Sequence, residues 1–240
     1  MNIQKIDMKQ IVISLVGLFL SYTVVSRPID ETLNFTMRYG LIKGGKVTIT
    51  AKPSFYENKE CIYLNMRGRT VGLTGSLYEV DNTYECYVEK DDFLPLKAKY
   101  TINEQNHHLK NEVWFYNLEG KLNSQINGWH EAEKGTLDIA SLIYNLRFSN
   151  RLNNLKQGQI ITIPFWDIDK MYEIKLKYTG KETIKSKIGT VRCMKIEPVF
   201  EAGSAFSKRE PLTIWITDDQ NKLPVLMKLN FKFGSVKCEL

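Results

Sequence analysis

The chain has 240 residues, of which 43% are hydrophobic, 11% aromatic and 25% charged. That is enough apolar matter for a real core and excludes a disordered or low-complexity protein. With 33 Lys and Arg against 27 Asp and Glu the formal charge is +6, too mild to argue for nucleic acid as a partner.

The N-terminus reads as an address. Lys5 and Lys9 precede an apolar run from Ile11 to Leu20, and Val24 and Ser26 stand at the −3 and −1 positions of a cleavage site before Arg27-Pro28. Counted generously to Val25, the run is 15 residues, whereas a membrane span needs roughly 20. Residues 1–26 are therefore expected to be a signal peptide. Residues 27–240 would form one exported domain, periplasmic or extracellular, soluble after cleavage and without a transmembrane span. Export makes disulfides chemically permissible, so Cys61, Cys86, Cys193 and Cys238 allow three pairings. One bridge in each half is the simplest; four buried thiols are the alternative.

From residue 33 onwards the chain is written mostly in period two, the mark of strands with one buried face. Leu33, Phe35, Met37 and Tyr39 alternate with polar residues, Gly44-Gly45 is expected to turn the chain, and Val47, Ile49 and Ala51 complete a hairpin. Further strands are expected at 62–67, 84–88, 96–102 and 113–116. A helix is expected from about Leu137 to Phe148, capped by Thr136, and its wide apolar surface predicts burial against a sheet. A polar link at 149–159 divides the chain, leaving room for two sub-sheets. Strands resume at 161–165 and 172–178, around Ile184 between Gly180 and Gly189, and at 191–198, 212–216 and 225–233, with a last short one ending at Leu240. Short connections favour antiparallel neighbours. The expected fold is all-β or mainly β: a curved antiparallel sheet, open barrel or sandwich, with one main packed helix near 137–148.

Several strings occur together in a distinctive order. They are Gly40-Leu41-Ile42-Lys43-Gly44-Gly45, Tyr78 to Glu85, Leu137 to Arg147, Ile214-Trp215-Ile216-Thr217-Asp218-Asp219, Leu223-Pro224-Val225 and Phe233-Gly234-Ser235-Val236. In this order, behind an export signal, they resemble the DUF3108 family of bacterial exported proteins. The resemblance implies an all-β envelope protein of unknown function, with a distant likeness to the curved sheets of LolA-type lipoprotein carriers. It carries over no catalytic residue.

Signs of chemistry are sparse. His107, His108 and His130 lack the spacing of a zinc site, and His107-His108 reads as an exposed loop pair. Gly72 and Gly75 lack the lysine of a phosphate loop, and no serine has a nucleophile setting. Asp218 and Asp219, adjacent in sequence, read as part of a turn from Thr217 to Leu223. No cofactor and no metal are called for.

The expectation is a non-enzymatic envelope protein. It would bind a lipid or other amphiphile, or an envelope protein, on the concave face of its sheet. A structural or assembly component and a glycan or cell-wall hydrolase are the alternatives. Tyr144 and Arg147, three apart on one helix face, and Trp215, which alternates away from Ile214 and Ile216, are the candidate ligand-binding residues.

Overall fold

The computed structural model describes residues 29–199, 212–231 and 234–240; the expected signal peptide lies outside them. The elements are β1 (Glu31–Tyr39), β2 (Ile42–Tyr56), β3 (Lys59–Thr70), a short helix α1 (Leu73–Leu77), β4 (Asp81–Val88), β5 (Pro95–Glu104), β6 (His107–Tyr116), β7 (Lys121–Ser124) and β8 (Gly128–Glu131). Then come α2 (Ile139–Phe148), β9 (Ile160–Asp167), β10 (Lys170–Ser186), β11 (Gly189–Pro198), β12 (Leu212–Thr217), β13 (Pro224–Phe231) and β14 (Gly234–Glu239). Among the described residues, all fourteen strands belong to one antiparallel sheet in the order β8-β7-β6-β5-β4-β3-β2-β1-β14-β13-β12-β11-β10-β9. The first and last strands meet in its middle, and the polar link at 149–159 belongs to the crossover between its two edges.

Register shifts at Met37/Arg38, Tyr87/Val88, Tyr178/Gly180 and Trp215/Ile216 add local twist. The sheet coils without closing into a barrel. Its edges are held together by Leu137, which bridges in parallel to Phe165, and by side chains. The buried Asn111 amide donates to the carbonyl of Ile168 at 2.6 Å, and the Asn127 amide to that of Asp169 at 2.8 Å. Trp166 of β9 packs into the core of the front half, β1–β8.

Three local expectations are corrected. The hairpin turns at Gly40-Leu41, with Tyr39 opposite Ile42 and Gly40 at φ 56°; Gly44-Gly45 lies inside β2, at the bulge opposite Met37 and Arg38. Gly180 does not end a strand: β10 runs through it for 17 residues, absorbing it as a bulge at φ 123°. His107 and His108 are exposed as expected, but they begin β6.

The helix is where the spacing places it, with a different cap. Asp138, not Thr136, is the N-cap: its carboxylate accepts from the Ser141 amide at 2.8 Å, while Ser141 Oγ accepts from the Asp138 amide at 2.8 Å. Thr136 instead donates its hydroxyl to the carbonyl of Glu133, and Leu137 is occupied by its bridge to β9. Ala140 and Tyr144 pack into the front core, and Leu142 into the core of the back half, β9–β14. α2 therefore joins the two.

Candidate ligand-binding funnel

Register fixes which side chains share the concave face of the front half, because residues opposite one another across a ladder point the same way. One inward row runs Ala51–Leu64–Cys86–Ala98–Val113, all fully or almost fully buried. Its small members leave space for α2, which packs on β3 and β4. The next row runs Leu33–Ile49–Met66–Tyr84–Tyr100. Beyond it the inward residues shrink: Phe35 faces Val47, which faces Gly68, and Met37 faces Gly45. Glycine inside a strand removes wall thickness, and the interior here opens into a cavity of about 440 Å³.

Met37, Val47, Met66, Tyr84 and Val236 supply its apolar lining, with Arg38 and Arg69 among the lining residues at the strand ends. A Cβ on Gly68 would meet only Val47 Cγ2, at 3.9 Å, whereas one on Gly45 would crowd the Arg69 carbonyl at 3.0 Å and Met37 Sδ at 3.2 Å. Tyr84 sits against Tyr100, ring centroids 6.1 Å apart, and burial pushes its hydroxyl pKa up. Asn82, also in the lining, donates to Glu104 at 2.6 Å and accepts from the Asn103 amide at 3.0 Å.

The opposite end of the front half is filled. Phe93 from the β4–β5 connection stacks on Tyr144 and Phe148, at 6.0 and 5.2 Å. Arg147 is 4% exposed; its guanidinium lies 5.0 Å from the Tyr144 ring centroid and forms a two-pronged ion pair with Glu31 at the start of β1. Its Nε donates to the carbonyl of Asn221 at 3.1 Å. Burial raises the Tyr144 hydroxyl pKa. Asp138, at the head of the same helix, is fully buried, and desolvation pushes its carboxyl pKa up despite the hydrogen bonds from Ser141.

The structure thus brings Tyr144 and Arg147 together, at the plugged end, and places Trp215 elsewhere. Trp215 packs with Cys193 and Val225 on the other face of the back half, and its indole donates to Glu182 at 3.0 Å. None of the three lines the funnel. The residues that do were missed: Gly45 stands in a Gly-Gly pair that reads as a turn, and Gly68 just past the run 62–67, yet both lie inside strands.

The four cysteines are free and buried. Cys193 on β11 and Cys238 on β14 have β12 and β13 between them, and Cys86 faces Leu64, three positions along β3 from Cys61. Desolvation raises all four thiol pKa values, that of Cys238 to about 11.

A second cavity of about 420 Å³ lies between the C-terminal end of α2 and the Thr217–Leu223 turn, and Asp218 and Asp219 line it. Both carboxylates are engaged. Asp219 accepts from Thr217 Oγ1 and from the amides of Asn221 and Lys222, and Asp218 pairs with Lys181 and Arg192. Among the described residues, no group of three or more His, Cys, Asp or Glu could hold a metal ion, and no helix is long and apolar enough to cross a membrane.

The family model described as a protein of unknown function, DUF3108, matches residues 34–240, which include every described strand from β2 to β14 and most of β1. The chain belongs to the DUF3108 family. Among solved structures it is similar to the β-barrel-like protein of domain of unknown function DUF1849 from Brucella abortus. That match has a TM-score of 0.54 at 8% identity, over 89% of this chain and 96% of the other. A DUF1089 family protein from Pseudomonas aeruginosa matches at a TM-score of 0.33 and 12% identity, over 85% and 93% of the two chains. At such identities the DUF1849 likeness concerns the fold alone. No curated protein matches the chain.

Proposed function

We propose that this DUF3108 protein is an exported, non-enzymatic component of the bacterial envelope that holds the apolar part of an amphipathic ligand in the funnel. One observation carries the reading: a cavity of about 440 Å³ with an apolar lining, where the inward positions of β2 and β3 include the glycines Gly45 and Gly68. That volume is in the range of small-molecule sites, roughly 300–1,000 Å³. The driving force is removal of apolar ligand surface from water. Methionine suits such a wall because its unbranched thioether adapts to chains of varying shape. A polar head would remain at the strand ends, near Arg38 and Arg69.

The decisive experiment is native mass spectrometry of the protein purified from its own cells, followed by denaturation and organic extraction. A stoichiometric amphiphile is expected in the extract, and the stripped protein should bind palmitate. Gly68→Leu fills the funnel where a side chain meets little resistance, and should weaken palmitate binding at least tenfold. A protein that is clean on extraction and indifferent to palmitate defeats the reading.

A further inference from the structure

The open end of the front half carries a second feature on its outer surface. Three cation–cation pairs stand directly opposite one another across adjacent strands. Lys43 on β2 faces Arg38 on β1, Arg38 faces Lys237 on β14, and Lys237 faces Lys228 on β13. A fourth pair, Lys46 opposite Arg69, lies beside them on β2 and β3. Like charges in such positions are destabilising within a sheet. None of these six side chains has an ion pair with a described residue. Of the nearby acids, Asp81 is paired with Arg67 and stands opposite Arg69, and Glu239 is paired with Lys187, which leaves the Lys43–Arg38–Lys237–Lys228 row without an acid opposite any of its members.

At the same end the chain exposes large apolar side chains. Leu41, at the tip of the β1–β2 turn, is 96% exposed, and Leu73 and Leu77, one helical turn apart on α1, are each 80% exposed. Both segments flank the funnel mouth: Ile42 and Thr74 line the cavity, and a Cβ on Gly44 would lie 3.3 Å from Thr74 Oγ1. Single exposed apolar residues are ordinary. Three leucines on two neighbouring protrusions, beside a row of uncompensated cations, are a different matter.

We infer that this end of the molecule docks on an anionic lipid bilayer, with Leu41, Leu73 and Leu77 entering the interface and the Lys43–Arg38–Lys237–Lys228 row lying over the headgroups. Charge selects this partner, since each cation close to an anionic leaflet adds attraction that salt screens. The leucines distinguish it from an acidic protein or polymer, because a bilayer offers headgroups and hydrocarbon together, as it does to surface-lying amphipathic segments. The inference stands on the outer row and the rim and not on what fills the funnel; Arg38 belongs to both the row and the cavity lining, so it is left unchanged in the test. If both hold, the mouth opens against the membrane and a ligand passes between bilayer and cavity without crossing water.

Vesicle flotation with the full chain tests it, using phosphatidylglycerol–phosphatidylcholine vesicles and pure phosphatidylcholine vesicles. The protein should float with the anionic vesicles and lose most of that binding at high salt. Lys43→Glu with Lys237→Glu should weaken it at least tenfold. Leu41→Ser with Leu73→Ser should weaken it several-fold while preserving the salt dependence. All four residues are outside the cavity lining, so palmitate binding by the same variants reports separately on the funnel and on folding. Equal flotation of wild type and both variants, flotation independent of lipid charge, or none at all would each overturn the docking surface.

Discussion

The two ends of the front half are built from the same strands and finish differently. At the plugged end the inward positions are small, Ala51, Cys86 and Ala98, yet the interior is full, because α2 returns from beyond β8 and seats Ala140 and Tyr144 there. At the open end the inward positions are small again, Gly45 and Gly68, and among the described residues only the five-residue α1 reaches it, with Thr74 in the lining. Small side chains on a concave face thus have two uses: they admit a partner element of the same chain, or they leave room for something that is not part of it. What separates the cases is whether the topology sends an element back.

The sharpest way to break this comparison is to remove the plug. Tyr144 is fully buried, and Tyr144→Ala is expected to cost about 3–5 kcal/mol, the usual range for deleting a buried aromatic ring, measured by urea unfolding. The folded fraction should bind palmitate with unchanged affinity, since Tyr144 lies outside the cavity lining. A parallel fall in affinity would show that the ends are one site.

Gly68→Leu is the converse. It adds a side chain at the open end, where a Cβ meets only Val47, so stability should stay within about 0.5 kcal/mol. The tenfold loss of palmitate binding expected of it corresponds to about 1.4 kcal/mol. A variant that binds as well as wild type would place the ligand, if any, outside the funnel.

Trp215→Phe serves as the comparison's control. It removes the indole hydrogen bond to Glu182 on the outer face of the back half, and should cost about 1 kcal/mol by urea unfolding, with palmitate binding untouched.

How much of this was legible follows from the range of each interaction. The strands are local alternation, and most of them stand where the pattern places them; the four-residue β7 and β8 were not expected, and the strands expected at 172–178 and around Ile184 are one. The helix is equally local, and its cap was misplaced by two residues because Thr136 and Asp138 are both good caps. The choice fell to Leu137, drawn into a bridge with Phe165, which lies 28 residues further on. Tyr144 and Arg147 were paired correctly by their spacing, but their purpose was not legible. Arg147 finds Glu31 across 116 residues, a contact that only the meeting of chain start and α2 creates. The funnel was hidden differently: its walls are residues present in every strand pattern, and the cavity arises from their register.

The finest test of the two ends concerns the sign of a pH effect. Asp138, buried at the head of the plug, has its pKa raised above 3.8 by desolvation. Asp81, on β4 at the open end, has its pKa lowered below 3.8, chiefly by the hydrogen bond from Arg67, whose Nε lies 2.7 Å from Oδ1. A raised carboxyl pKa means that the folded state binds the proton more tightly than the unfolded chain. Its stabilising contribution is complete below 3.8 and is lost as pH rises through the folded value. The lowered pKa of Asp81 works in the opposite sense: its contribution is complete above 3.8 and is lost as pH falls through the folded value. Asp81 and Arg67 side chains are 36% and 52% exposed, so that contribution stays below about 1 kcal/mol. Urea unfolding across a pH series therefore separates two variants. The advantage of wild type over Asp138→Asn should shrink as pH rises, because asparagine caps a helix as well as aspartate does and carries no buried charge. The advantage over Asp81→Asn should shrink as pH falls. Slopes of the same sign would mean that the two carboxylates do not sit in the contrasting settings that distinguish a closed end from an open one.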